Sequence, residues 1–174
     1  MKKLLFCTIV LAGVLACNQK EKEKNTDQSS GTKNDYKVLF EKNLATLKTS
    51  ITAFENEKID DWAASVADTA SWYPPAYGAS KMGKDDWKKT LSMYMADWDS
   101  LKLVNPNFLP GVDSTTQEFD GSVRYYGEWH GVHKSGVHTV VNFYGSYDFN
   151  KDGKVSSGNE FFDVGGLMNA IKPK

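Results

Sequence analysis

Ser122-Val-Arg-Tyr-Tyr-Gly-Glu-Trp-His-Gly-Val-His133, Val137-His-Thr-Val-Val-Asn-Phe-Tyr-Gly-Ser-Tyr-Asp-Phe149 and Lys154-Val-Ser-Ser-Gly-Asn-Glu-Phe-Phe-Asp-Val164 decide how this chain folds. Each run is rich in aromatic and β-branched residues, which suit a pleated, half-buried surface. The links, Lys134-Ser-Gly136 and Lys151-Asp-Gly153, each end in glycine. A three-residue hairpin loop needs one residue at positive φ, and glycine takes that position at least cost. The spacing therefore predicts a three-strand antiparallel meander in which His133 faces Val137 and Asn150 faces Lys154.

Strand side chains alternate with period two, so that register sorts them into faces. One face carries Val123, Tyr125, Gly127, Trp129 and Gly131, then Val137, Thr139, Val141, Phe143, Gly145 and Tyr147, then Val155, Ser157, Asn159, Phe161 and Asp163. The other carries Arg124, Tyr126, Glu128, His130, His138, Asn142, Ser146, Glu160 and Phe162. The first set is the more apolar and is expected to face the core. A change of register would exchange the faces of the strand concerned.

Upstream the pattern turns helical. Phe40, Leu44, Leu47, Ile51 and Phe54 share one face of a helix expected over Tyr36 to Glu57, with Asn34 or Asp35 as its cap. A short helix from Asp60 buries Trp62 and Val66, and Thr69 to Tyr73 reads as a strand stopped by Pro74-Pro75. Gly83, Asp85 and Asp86 open a third helix whose stripe is Trp87, Leu91, Tyr94 and Trp98. Leu101 to Val104 and Phe108 to Val112 read as an edge strand interrupted by Pro106 and Pro110. Leu167 to Ile171 reads as a short helical tail. Helices grouped before an antiparallel sheet indicate an α+β domain.

The chain has 174 residues, 40% hydrophobic and 13% aromatic, with net charge −1. That suffices for one core and offers no basic stripe for nucleic acid. Met1-Lys2-Lys3 is a positive n-region, Leu4 to Val14 is apolar but too short to span a bilayer, and Leu15-Ala16-Cys17 follows. This resembles the lipobox of bacterial lipoproteins, which implies a signal peptide over 1–16, lipidation at Cys17 and an address in the bacterial cell envelope, facing the periplasm or exposed on the outer membrane. The only other cysteine, Cys7, lies in the removed segment. Residues 17–35 are polar and read as a tether reaching roughly 20–25 Å, so the folded domain is expected over 36–174.

Val66-Ala-Asp-Thr-Ala-Ser-Trp72, Gly83 at the third helix, Asp152-Gly-Lys-Val155 and Phe161-Phe-Asp-Val-Gly-Gly166, in this order, resemble the SnoaL-like branch of the NTF2-like superfamily. The resemblance implies a cone: a curved antiparallel sheet wrapped on three N-terminal helices, with a pocket at the open end. Its members include polyketide cyclases, steroid isomerases and epoxide hydrolases, and also non-catalytic binding domains. The isomerase motif places its general base at Pro74 and its tyrosine near Ser50, neither of which can serve. The cyclase motif places an acid at Asp163, which the face assignment also turns inward.

The expected function is binding of a small, largely apolar ligand or a partner protein, with Tyr125, Trp129, Thr139, Asn159 and Asp163 forming the pocket wall. The first alternative is acid–base catalysis by Asp163. The second is a homodimer built on the outer sheet face around Tyr126, Glu128, His130 and Tyr144. No metal or other cofactor is expected. Asp148 to Val155 begins like a calcium loop, but its twelfth position is Asn159 where a glutamate is required. His130 and His138 share a face that His133 does not. No phosphate loop or nucleophile elbow is present in the sequence.

Overall fold

A computed structural model describes residues 33–173. Cys17, the leader 1–16 and nearly all of the tether lie outside the described residues. The order is α1 (Lys33–Glu55), α2 (Ile59–Ala64), β1 (Val66–Tyr73), β2 (Met82–Gly83), α3 (Lys84–Asp97), β3 (Trp98–Val112), β4 (Phe119–His133), β5 (His138–Phe149), β6 (Val155–Phe161) and α4 (Val164–Ala170). The strands form one curved, unclosed sheet in the order β2-β1-β6-β5-β4-β3. The α+β expectation holds. The meander holds too: Gly136 and Gly153 adopt φ of 83° and 77°, and the His133 and Asn150 N–H groups donate to the Val137 and Lys154 carbonyls as expected.

Three details differ from the expectation and one refines it. The sheet is not wholly antiparallel, because β1 runs parallel to β6. Helix α1 already includes Lys33, so Asn34 and Asp35 lie inside it rather than capping it. β3 is the expected edge strand, continuous through its prolines. It absorbs Pro106 by shifting register between Val104 and Asn107, with Asn105 at φ 50°. Trp98 opens that strand instead of ending α3 and packs edge-on against the buried His133 at 4.6 Å.

The core is a row of near-parallel rings. Trp72 and Trp87 stack at 5.6 Å and 3°, Trp87 and Tyr147 at 6.4 Å and 10°, and Tyr147 and Tyr125 at 5.9 Å and 9°. Phe143 and Phe162 extend it beyond Tyr125. The sheet register explains the row. Trp72, Gly158 and Tyr147 are lateral neighbours on β1, β6 and β5. Gly158 leaves a gap between the two larger side chains, and Trp87 descends from α3 into it. A Cβ on Gly158 would lie 2.4 Å from the Trp87 ring. Trp62 closes the far edge at 73° to Trp87.

Candidate functional site

A second glycine shapes the next rung of the sheet. Gly145 lies between Glu160 on β6 and Tyr125 on β4. A Cβ there would stand 2.8 Å from the Tyr147 hydroxyl. Tyr147 can therefore lie over Gly145 and place its hydroxyl between its two neighbours. It donates to Glu160 Oε1 at 3.0 Å and lies near the Tyr125 hydroxyl. The Trp129 indole N–H donates to Tyr125 at 3.3 Å.

Two of these directions are fixed. Tryptophan can only donate, so the Trp129 proton points at Tyr125. The Tyr147 proton points at the carboxyl. Burial pushes the Glu160 carboxyl up to about 7, against smaller lowering effects from Tyr147 and Trp72. The Trp72 indole thus faces the carboxyl, yet its N–H has no partner at hydrogen-bonding geometry among the described residues. Glu160 as a whole is half-buried, while its carboxyl is enclosed by protein. Desolvation also raises the Tyr125 and Tyr147 hydroxyls, with the nearby Glu160 carboxylate adding to it.

Glu160 borders a cavity of about 120 Å³ between the helices and the sheet. An apolar hole of roughly 150 Å³ accepts a benzene ring. The walls are mostly apolar: Leu47, Ile51 and Phe54 from α1, Trp87 and Leu91 from α3, Val141 and Phe143 from β5, with Phe162 and the α4 residue Leu167. Polar groups are few, chiefly Ser50, Tyr94, Thr139, Tyr147 and Glu160. Thr139 is already engaged, accepting from the Trp98 indole at 3.0 Å and donating to the Gly131 carbonyl at 3.2 Å.

Three of the expected wall residues, Tyr125, Trp129 and Thr139, do line this cavity. Asn159 and Asp163 do not, and the cause is one residue. Asn150 faces Lys154 and Phe149 faces Val155 as expected, but Asp148 faces Ser157, leaving Ser156 unpaired. This β-bulge reverses every side chain that follows. Gly158, Glu160 and Phe162 turn inward, whereas Asn159 and Phe161 turn outward. Asp163 lies past the end of β6, exposed, where its Oδ1 accepts from the Gly166 N–H at 2.7 Å and caps α4. Asp163→Ala is expected to cost about 1 kcal/mol as a lost N-cap. It should leave ligand binding in the cavity unchanged, which calorimetry of the variant checks.

Glu160 was missed because the expected register put it outside. A bulge at Ser156-Ser157 leaves no periodicity of its own, and Phe161-Phe162 supplies an apolar residue to the core in either phase. Trp87 was legible as a core residue but not as a ring seated on a strand glycine. The calcium-like stretch is a plain hairpin: the Asn150 side chain accepts from the Asp152 and Lys154 N–H groups.

No protein-family model matches the chain, and no curated protein matches it in sequence. Its fold does match solved structures. An NTF2-like protein of unknown function from Burkholderia pseudomallei is 17% identical, with TM-score 0.61 over 76% of this chain and 98% of that one. A protein described as a polyketide cyclase, from Xanthomonas campestris, is 12% identical, with TM-score 0.62 over 77% and 99%. An LEH-like epoxide hydrolase from M. tuberculosis is 16% identical, with TM-score 0.54 over 75% and 90%. The chain therefore has the NTF2-like fold, a scaffold shared by proteins of several activities.

Proposed function

We propose that this domain binds a compact, largely apolar small molecule in the cavity beside Glu160, holding one polar group of that molecule at the carboxyl. The carrying observation is the cavity itself, a small aromatic hollow bordered by one enclosed carboxyl. Such a hollow selects by shape and apolar area, with a single polar contact fixing orientation. The lipobox motif at Cys17 supports a lipid-anchored domain in the cell envelope, with the membrane as its partner through that anchor. Among the described residues no helix is long and apolar enough to cross a membrane.

Toluene is a suitable first probe. At ten times its dissociation constant it should add about 1.4 kcal/mol and raise the melting temperature by roughly 5 °C. Val141→Phe, which fills the cavity from β5, should abolish that shift. A wild-type protein unmoved by saturating toluene would refute the binding reading.

A second reading is proton-transfer catalysis, now at Glu160 rather than Asp163. The observation favouring it is a carboxyl that titrates about neutral pH inside an apolar site, as a general acid or base requires. A third is self-association. Tyr126, Tyr144 and Phe161 form an outward rung with ring spacings of 4.8 and 5.7 Å, and Tyr126 and Phe161 are about half exposed.

A further inference from the structure

We propose that the ligand of the cavity is a compact apolar amine, bound as its ammonium cation with the N–H⁺ on Glu160 and the hydrocarbon part against the aromatic walls. This rests on the binding reading above and names the chemical class that the same site would take.

The hydrogen bonding of Glu160 supplies the first ground. Tyr147 donates to its Oε1 at 3.0 Å. The Trp72 indole faces the same carboxyl. The Tyr147 bond favours the anion, which burial opposes and a bound cation would restore. What the site lacks is the matching positive charge. Among the described residues neither lysine nor arginine lines the cavity. His130 borders it, but its Nε2 is committed to Glu128 Oε2 at 3.0 Å. The titratable groups facing Glu160 are Tyr94 from α3, Tyr125 from β4 and Tyr147 from β5, all neutral near pH 7. No side chain from α1, α2, β1 or α4 that borders the cavity carries charge.

The walls supply the second ground. A cation is attracted to the faces of aromatic rings, most strongly where water is excluded. Tyr147, Phe143, Phe162 and Trp87 line the same cavity as the carboxyl. An anionic ligand would meet repulsion from Glu160. A neutral acceptor would need Glu160 protonated, and would leave the Tyr147 donor with no anion to serve.

The experiment compares benzylamine, benzyl alcohol and toluene, which share one ring and differ in the polar group, by titration calorimetry on the full chain. At pH 8 benzylamine is expected to bind at least tenfold more tightly than benzyl alcohol. Its affinity should fall by up to tenfold for each pH unit below about 7, because protonated Glu160 must give up its proton to accept the cation. Titrations near pH 7 in two buffers of different ionisation enthalpy should show a fraction of a proton released per amine bound. Glu160→Gln should bind toluene as the wild type does and lose the amine preference, so retained toluene binding shows that the variant is folded. Equal affinity for amine and alcohol with no proton released would overturn the amine inference and leave the apolar-ligand reading standing. Failure of all three probes to bind the wild type would overturn both.

Discussion

Trp87→Ala should lower the stability of this domain by about 3–5 kcal/mol, the largest loss expected from any single side chain here. The ring is 2% exposed and touches aromatic neighbours on three sides: Trp72 and Tyr147 by stacking, Trp62 by its edge. Truncation removes both its buried area and its partners' contacts, and the hole cannot collapse because Gly158 beneath it offers no side chain. Against a typical total of 5–15 kcal/mol, such a loss leaves a marginal fold. Gly158→Val attacks the same contact from below and should cost several kcal/mol through overpacking, since the ring it strikes is wedged in place. Urea unfolding midpoints of both variants check this. A loss below about 1 kcal/mol for Trp87→Ala would mean that the indole is not seated as described.

The second large effect is on pH dependence. In the unfolded chain Glu160 titrates near its ordinary value of 4.5, and in the folded protein near 7. Its proton is held more tightly when folded, so its contribution to stability is complete below about pH 4.5. That contribution declines as pH rises and is gone above about 7. The total is up to about 3 kcal/mol, from 1.36 kcal/mol per pH unit of separation. Glu160→Gln cannot titrate and should lack this slope. The quantity to measure is the wild-type stability minus that of the variant between pH 4.5 and 7.5, which should fall steadily. Asp148, raised by burial and by the nearby Asp120 carboxylate, contributes in the same direction but cancels in the difference. Asp60, Asp68 and Asp113 are lowered, by the Lys88 and Lys84 hydrogen bonds and by the Thr116 and Thr115 backbone N–H groups. Their transitions lie below this window. A flat difference would place the carboxyl in water.

The helices and the meander were legible because their signals are local. Phe40 to Phe54 repeat at helical spacing, and the glycine-ended loop Lys134-Ser-Gly136 sets the β4–β5 pairing without help from the rest of the fold. The inward set on β4 and β5, Tyr125, Trp129 and Thr139 included, followed correctly from that pairing. β6 did not, because one unpaired serine is enough to exchange its faces and no local preference announces it. Asn159 and Glu160 are both polar, and Phe161 and Phe162 are identical, so composition could not arbitrate. The parallel β1–β6 contact joins residues about ninety apart in sequence and lies beyond any pattern within one segment. The proposed carboxyl therefore became visible only once the sheet was assembled.

That same ambiguity gives the seat under Trp87 a further role, as a proofreader of assembly. A nascent sheet in which β6 had paired without its bulge would still bury a phenylalanine and would differ little in apolar content. It would, however, set Ser157 where Gly158 belongs, and the indole would find its landing place filled. Helix α3 could not settle on that misaligned sheet, so the error would stay open and correctable rather than being sealed into a wrong but compact product.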